Sequence, residues 1–336
     1  MNMKKFLAVG LSAVMLLTMA ACGSDDAAAS SGDASASAAV EEMTVPADTV
    51  VMTIGESEYT AKDYASFLNN ARVEWSTYLS QYGMTEEDYI EMYGADVYGD
   101  DLRMRAENYM VIYETLENKM AECGLELTEE DTAMSAFYEM MGLDETYGNL
   151  QAMLTKVTEY YTGEGGELRP DDAELDAYFH EYYLRCKHVL INTVDDNYNE
   201  LENQDELEAT ANDVAARAAA GEDFDALIAE FNEDPGMESN PDGYVFSEGT
   251  MVTEFYEGTL ALAEGETSEP IKSTYGWHII QRLPLRDEDF ASVENEILDL
   301  LVDFDTVLQE WANELEVTVK DEAADISYAN AAAYLE

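Results

Sequence analysis

Two of the three histidines stand inside apolar, β-branched runs: His188 in Arg185-Cys-Lys-His-Val-Leu-Ile191 and His278 in Tyr275-Gly-Trp-His-Ile-Ile280. Runs of that kind read as buried strands. A buried imidazole must find hydrogen-bond partners. Taken singly, each histidine reads as a hydrogen-bonded core residue. Taken together with Asp234, in Asn232-Glu-Asp-Pro-Gly236, they offer two nitrogens and a carboxylate, a donor set that would suit a metal ion. A serine-hydrolase arrangement is not supported, because Gly-x-Ser-x-Gly does not occur in the chain.

The elements that must position these residues are legible in outline. Between the two strands lies a helical pattern over about 201–220, with Ala211, Val214, Ala215 and Ala218 on one side and Gly221 as its stop. A second helix over 222–231 turns Phe224, Leu227, Ile228 and Phe231 inward. Loops at Asn232–Gly236 and Asn240–Tyr244 and the segment Gly249-Thr-Met-Val-Thr-Glu-Phe255 follow. Upstream, a short β-like run at Thr49–Ile54 precedes several helices, opened by capping boxes at Thr60–Asp63, Thr85–Asp88 and Thr128–Asp131. The last of these boxes predicts a helix with Met134, Phe137, Tyr138 and Met141 inward. Downstream, Phe290, Val293, Ile297, Leu300, Phe304, Val307 and Trp311 keep 3–4 spacing and predict one long helix, with a strand at Val317–Val319 and a weakly helical Ala-rich tail from Asp321. That apolar helix needs a partner. The N-terminal helical block is the simplest one, closing a discontinuous domain; the coiled-coil seam of a homodimer is the alternative.

Asp and Glu number 73 against 16 Lys and Arg, for a formal charge of −57 over 336 residues. A surface this acidic repels nucleic acid and anionic lipid head groups. The acids are spread along helical faces, which reads first as solubility and more sharply as attraction for basic chains or cations. Residues 1–21 read as a targeting segment: Lys4 and Lys5, then an apolar stretch from Phe6 to Met19 too short to span a bilayer. Met19-Ala-Ala-Cys22 is similar to a lipobox, with Met19 in place of the usual Leu, and predicts a lipid on Cys22. Residues 22–47 are Ser-, Ala- and Asp-rich and read as a flexible tether. Cys123 and Cys186 read as two isolated thiols.

The order of the central motifs resembles a parvulin-type peptidyl-prolyl cis/trans isomerase over about Tyr183–Leu283. Glu222-Asp-Phe-Asp-Ala-Leu-Ile-Ala resembles the family's G-x-D-F-x-x-L-A helix, and Gly265–His278 resembles its closing strands. Asn240-Pro-Asp-Gly-Tyr244 departs from the usual Gly-Gly-Asp-Leu-Gly turn by one glycine and about one residue of length. Ser273 stands where most relatives have Thr. The resemblance implies an α+β fold: a small antiparallel sheet flanked by helices, inserted in a mainly helical chaperone-like domain. The expected division is 48–180 helical, 181–284 isomerase-like, 285–320 returning to the helical domain, and 321–336 a tail.

The resemblance further implies a hydrogen-bonded pair of His188 and His278 extended by Ser273, with Asp234 near the substrate carbonyl. Tyr244, Met251 and Phe255 are expected to form the proline pocket. No bond is broken in this reaction, so neither cofactor nor metal is expected, and the family pattern accounts for both histidines without one. Phospho-specific members carry a basic cluster after the first strand; Asn192-Thr-Val-Asp-Asp196 stands here instead. The implied role, as in PrsA-type foldase lipoproteins, is isomerase and foldase for unfolded secreted polypeptides with X-Pro bonds, anchored by Cys22 on the outer face of the cell membrane. A non-catalytic holdase with a degenerate isomerase domain is the alternative.

Overall fold

A computed structural model describes residues 42–195 and 197–335. The leader, Cys22 and most of the tether therefore lie outside the described residues. In chain order the elements begin with β1 (Val50–Ile54), β2 (Ser57–Thr60), α1 (Ala61–Gln81), α2 (Glu86–Tyr93), α3 (Ala95–Cys123), α4 (Ser135–Met140), α5 (Glu145–Thr162) and α6 (Asp172–Tyr182). Next come β3 (Leu184–Asn192), α7 (Gln204–Ala219), α8 (Phe224–Phe231), α9 (Gly236–Ser239), β4 (Tyr244–Phe246), α10 (Thr253–Leu260), β5 (Ile271–Lys272) and β6 (Gly276–Leu283). The last are α11 (Glu294–Leu301), α12 (Phe304–Ala312) and β7 (Val317–Val319). They fall into two units, one built from the described residues through Glu167 and from Asp303 on, the other from Leu168–Val302.

In the first unit, β1 pairs antiparallel with both β2 and β7, so strands more than 250 residues apart in sequence share one sheet. The Thr60–Asp63 capping box starts α1 where the β2 strand ends. Helix α1 buries Tyr64, Phe67, Leu68 and Ala71, and α3 packs on it with Leu102, Ala106, Met110 and Leu116 buried. Three carboxylates are buried in the same unit. Glu107 accepts from the Tyr64 hydroxyl at 2.8 Å, and Glu114 accepts from Tyr59 and Ser57, each at 2.8 Å. Glu74 accepts from Tyr147 at 3.2 Å and from Tyr109. A buried carboxylate without donors would cost several kcal/mol. In a chain poor in lysine and arginine, tyrosine hydroxyls supply much of that hydrogen bonding. Burial pushes Glu74 up to about 7, against the Tyr147 bond and the Arg105 charge, which favour ionisation.

In the second unit the sheet order is β4-β3-β6-β5, all antiparallel. Side chains alternate faces along β3. Val189 and Ile191, with Ile279 of β6, pack on α7 and α8 through Ala211, Val214, Phe224 and Leu227. Leu184 and Cys186, with Ile280, face the other way onto Phe246 and Phe255. This is the mixed fold expected for the segment: a small antiparallel sheet between helices.

Four expectations need correction. The long helix from Phe290 to Trp311 is three pieces: a 3-10 turn at Asp287–Ser292, α11 and α12. Val302 is extended, and the Asp303 side chain accepts from Thr306 N at 3.0 Å, capping a new helix where the apolar spacing suggested continuity. The unit border shifts accordingly. Helices α6 and α11 pack on each other through Leu175, Phe179, Val293 and Ile297, so both belong with the four-stranded sheet rather than with the helical block. The Thr128–Asp131 box forms, but only turns and the short α4 follow, and of the four residues expected inward Met134 and Phe137 are exposed. The tether is not free to Ala47, since Val45 is buried with its N–H on the Tyr334 hydroxyl. The tail from Asp321 forms only short 3-10 turns, at Asp321–Asp325 and Ala331–Tyr334, with Ala323, Ile326, Ala331 and Tyr334 buried.

Candidate active site

The register of β3 against β6 places the two histidines. His188 pairs with Ile280 and His278 with Leu190, so the imidazoles are diagonal neighbours on one face of the sheet. Both rings are buried, at 3 % and 4 % exposure. They lie nearly parallel, 22° apart, with centroids 5.4 Å apart. Phe255 of α10 meets both edge-on, at 4.9 and 5.3 Å. The face is thus floored by an aromatic ring and closed below by Cys186, whose thiol burial pushes up to about 12 and so keeps it un-ionised.

The loop after α8 brings in the carboxylate. The Asn232 side chain accepts from Leu190 N at 2.9 Å and from Asp234 N at 3.2 Å, and it donates to the Asp234 carbonyl at 2.7 Å. Glu233 N donates to the Leu190 carbonyl at 2.9 Å. The loop is therefore riveted to β3 two residues from His188. Asp234 Oδ2 then lies 2.8 Å from His188 Nε2 and accepts from the Tyr244 hydroxyl at 2.7 Å, while Oδ1 accepts from Gly236 N at 2.9 Å. On the far side, Ser273 Oγ lies 2.7 Å from His278 Nε2 and accepts from Tyr275 N at 3.1 Å. The two Nδ1 atoms are 3.3 Å apart. One line of contacts runs from Ser273 through His278, His188 and Asp234 to Tyr244.

Only one neutral proton arrangement satisfies that line. Burial alone would raise the Asp234 carboxyl, but the bonds from His188, Tyr244 and Gly236 outweigh it and hold it at about 2. An ionised carboxylate only accepts, so His188 donates through Nε2–H, and in the neutral ring its Nδ1 then carries a lone pair. His278 must then donate through Nδ1–H, which leaves its Nε2 to accept from the Ser273 hydroxyl. Burial, and the neighbouring His188 after it, press His278 down to about 4 against the pull of Asp234, so it stays neutral as the arrangement requires. The polarity of the line is set at one end by one charge.

The seven residues expected at the site on sequence grounds are brought together as follows. His188, His278, Ser273, Asp234 and Tyr244 are linked directly. Phe255 is buried against both rings, and Met251 packs half-buried on the same apolar cluster. Cys22 lies outside the described residues. Two contributors escaped sequence reasoning. The sequence places Asn232 only in a loop, although Asn-x-Asp is a signature of side-chain-to-backbone turns. No sequence signal marks Gly236, yet a Cβ there would overlap the Tyr244 hydroxyl. Gly243, at φ +106, lets the shortened turn close over the Cys186 carbonyl, which a Cβ would meet at 2.7 Å. Among the described residues no group of three or more His, Cys, Asp or Glu is arranged to hold a metal ion.

Residues 188–283 match the family model described as Rotamase: PPIC-type PPIASE domain. The chain is 32 % identical over 199 residues to the foldase protein PrsA of Halalkalibacterium halodurans, covering 57 % of this chain and 55 % of that one. It is 32 % identical over 145 residues to the chaperone SurA of Pseudomonas fluorescens, covering 42 % and 32 % respectively. The chain spans about half the length, or less, of these relatives. A crystal structure of PrsA from Bacillus subtilis aligns at 21 % identity with a TM-score of 0.30, over 69 % of this chain and 87 % of that one.

The depressed His278 makes the second unit acid-labile. A histidine held at about 4 in the fold and near 6.5 when unfolded binds its proton less readily in the fold. The unfolded chain therefore takes up more protons in this window, and stability falls as pH drops from about 6.5 to about 4, by at most about 3 kcal/mol. Urea unfolding of the full chain across this window, compared with His278→Asn, is expected to show the extra loss in the wild type alone. Parallel pH profiles for the two would contradict the assignment.

Proposed function

We propose, because residues 188–283 belong to the PPIC-type peptidyl-prolyl isomerase domain family, that the site at Asp234 catalyses cis/trans exchange of X–Pro bonds in unfolded polypeptides. The observation that carries this reading is the continuous line from Ser273 to Tyr244 beside the Phe255 ring. The reaction needs neither nucleophile nor metal. Its barrier, about 18–20 kcal/mol, is the resonance of the amide, which places negative charge on oxygen in both planar forms. That charge shrinks as the bond twists. A carboxylate held ionised beside the carbonyl oxygen destabilises the planar forms more than the twisted one. Apolar surface around the amide strengthens the effect by removing water. Each tenfold of rate corresponds to about 1.4 kcal/mol of such difference. Asp234 supplies the charge. Tyr244, Met251 and Phe255 grip the proline ring, and the histidine pair with Ser273 and Asn232 holds the carboxylate in place.

The first unit, Tyr- and Met-rich, serves in this reading as the part that holds clients while the second works on their prolyl bonds, which makes the protein a foldase for secreted chains. We further infer, on sequence grounds alone, that Cys22 carries a lipid that tethers the protein to the outer face of the cell membrane. No cofactor and no nucleic acid has a part in the mechanism.

A prolyl-peptide exchange assay tests the activity. The full chain is expected to accelerate exchange well above the uncatalysed rate, with His188→Ala and Asp234→Ala each losing at least about tenfold. Background rates for the wild type, with aggregation of an unfolded client still suppressed, would replace this reading with the non-catalytic holdase. Lipidation is tested by metabolic labelling with a fatty acid: label and membrane partitioning are expected in the wild type and absent in Cys22→Ser. Equal partitioning of the two forms would refute the anchor.

A further inference from the structure

Arg185 lies on β3 three residues before His188 and is 7 % exposed. Side chains alternate along a strand, so it projects from the face opposite the histidine and does not reach a substrate held there. A buried guanidinium is costly unless its donors are met. Here they reach three places. Nη2 donates to the Asp242 carbonyl, and Nη1 donates to the Pro284 carbonyl at 3.2 Å. Nε faces Asp289 Oδ2 at 3.4 Å. Asp289 is itself buried, and its Oδ1 accepts from Arg286 Nε at 3.0 Å and Nη2 at 2.6 Å. Burial alone would raise that carboxyl, but the Arg286 bonds and the Arg185 charge hold it below the ordinary carboxylate range. The Arg185 guanidinium is therefore seated on an ionised partner.

These contacts fix the turn that leads into β4. That strand is three residues long, lies at the sheet edge, and pairs with β3 through Leu184, Arg185 and Cys186. Phe246 buries its far end in the core. Its near end begins at Tyr244, where Gly243 brings the backbone against the Cys186 carbonyl and Arg185 holds the Asp242 carbonyl. Two residues beyond Asp242, the Tyr244 hydroxyl donates to Asp234 Oδ2 at 2.7 Å. The path from Arg185 to the site's carboxylate thus runs through main chain on one short edge.

We propose that Arg185 is a positioning residue for the site: seated on Asp289, it holds the Asp242 carbonyl and so sets the Tyr244 hydroxyl on Asp234. Its effect on rate rests on the isomerase reading; the coupling between Arg185 and Tyr244 does not.

The test uses the full chain labelled with ¹³C at tyrosine Cζ, near neutral pH, with the Tyr244 signal identified by its loss in Tyr244→Phe. Arg185→Met is expected to move that signal toward the position of a tyrosine in water, as the bond to the carboxylate is lost. Prolyl exchange is then measured for Arg185→Met, Tyr244→Phe and the double variant. Each single substitution is expected to lower kcat/KM about tenfold, and the double variant no more than either, because both remove the same hydrogen bond to a charged group. An arginine that only stabilises the fold would leave the Tyr244 signal in place and cost the same factor in both backgrounds; either result overturns the proposal. Where Arg185→Met does not fold, Arg185→Lys takes its place. A single ammonium drawn to Asp289 leaves the Asp242 carbonyl unheld, so the same signal movement and the same non-additivity are expected, and their absence overturns the proposal equally. A wild type without exchange activity whose Tyr244 signal still answers to Arg185 would remove the isomerase reading and leave the coupling standing.

Discussion

The hydrogen bond between Asp234 and His188 governs the arrangement of the site. It is made by an ionised carboxylate, so it has a direction, and that direction is passed on. His188 must donate toward Asp234; with both rings neutral, His278 then donates toward His188 and Ser273 toward His278. Each partner is fixed by the one before it, and none is free to reverse without a proton moving. The fold spends its local structure on holding the first bond. Asn232 staples the loop to β3, Gly236 leaves room for the Tyr244 hydroxyl, and Gly243 closes the turn that carries Tyr244 into β4. The carboxylate that sets the line is also more solvent-accessible than the ring it holds, 21 % exposed against 4 % for the His188 side chain. Rigid, buried groups thus orient a charge at the edge where a substrate amide can reach it.

The same scarcity of cations shapes the helical unit. With few lysines and arginines, buried acids there are met by tyrosine hydroxyls: Tyr64 for Glu107, Tyr59 for Glu114, Tyr109 and Tyr147 for Glu74. Tyrosine serves two ends at once, since its ring fills the core and its hydroxyl satisfies the acid. This gives many of the tyrosines of the first unit a structural duty.

Much of the site was legible because strands and loops write short, local signals. The alternation around His188 and His278 gave the strands, and the motif order gave the family resemblance that brought Asp234, Ser273, Tyr244, Met251 and Phe255 into one site. What could not be read was register: only the pairing of His188 with Ile280 and of Leu190 with His278 makes the histidines diagonal neighbours. The charge of Asp234 was likewise open, because it depends on three donors from three different places in the chain. The helix at 290–311 was misread because apolar spacing runs unbroken through Val302 and Asp303; the cap signal of Asp303 was present but weaker than the periodicity around it. The exposed Met134 and Phe137 mislead in the same way: apolar side chains at helical spacing, on a segment too short to bury them.

The central claim, that one anionic carboxylate dictates the protonation of the whole line, is tested most directly by long-range ¹H–¹⁵N correlation spectra of His188 and His278 in the full chain near neutral pH. The account predicts two neutral rings of opposite tautomer: proton on Nε2 of His188 and on Nδ1 of His278. A proton on Nε2 of His278, or a doubly protonated ring at either position, would contradict it.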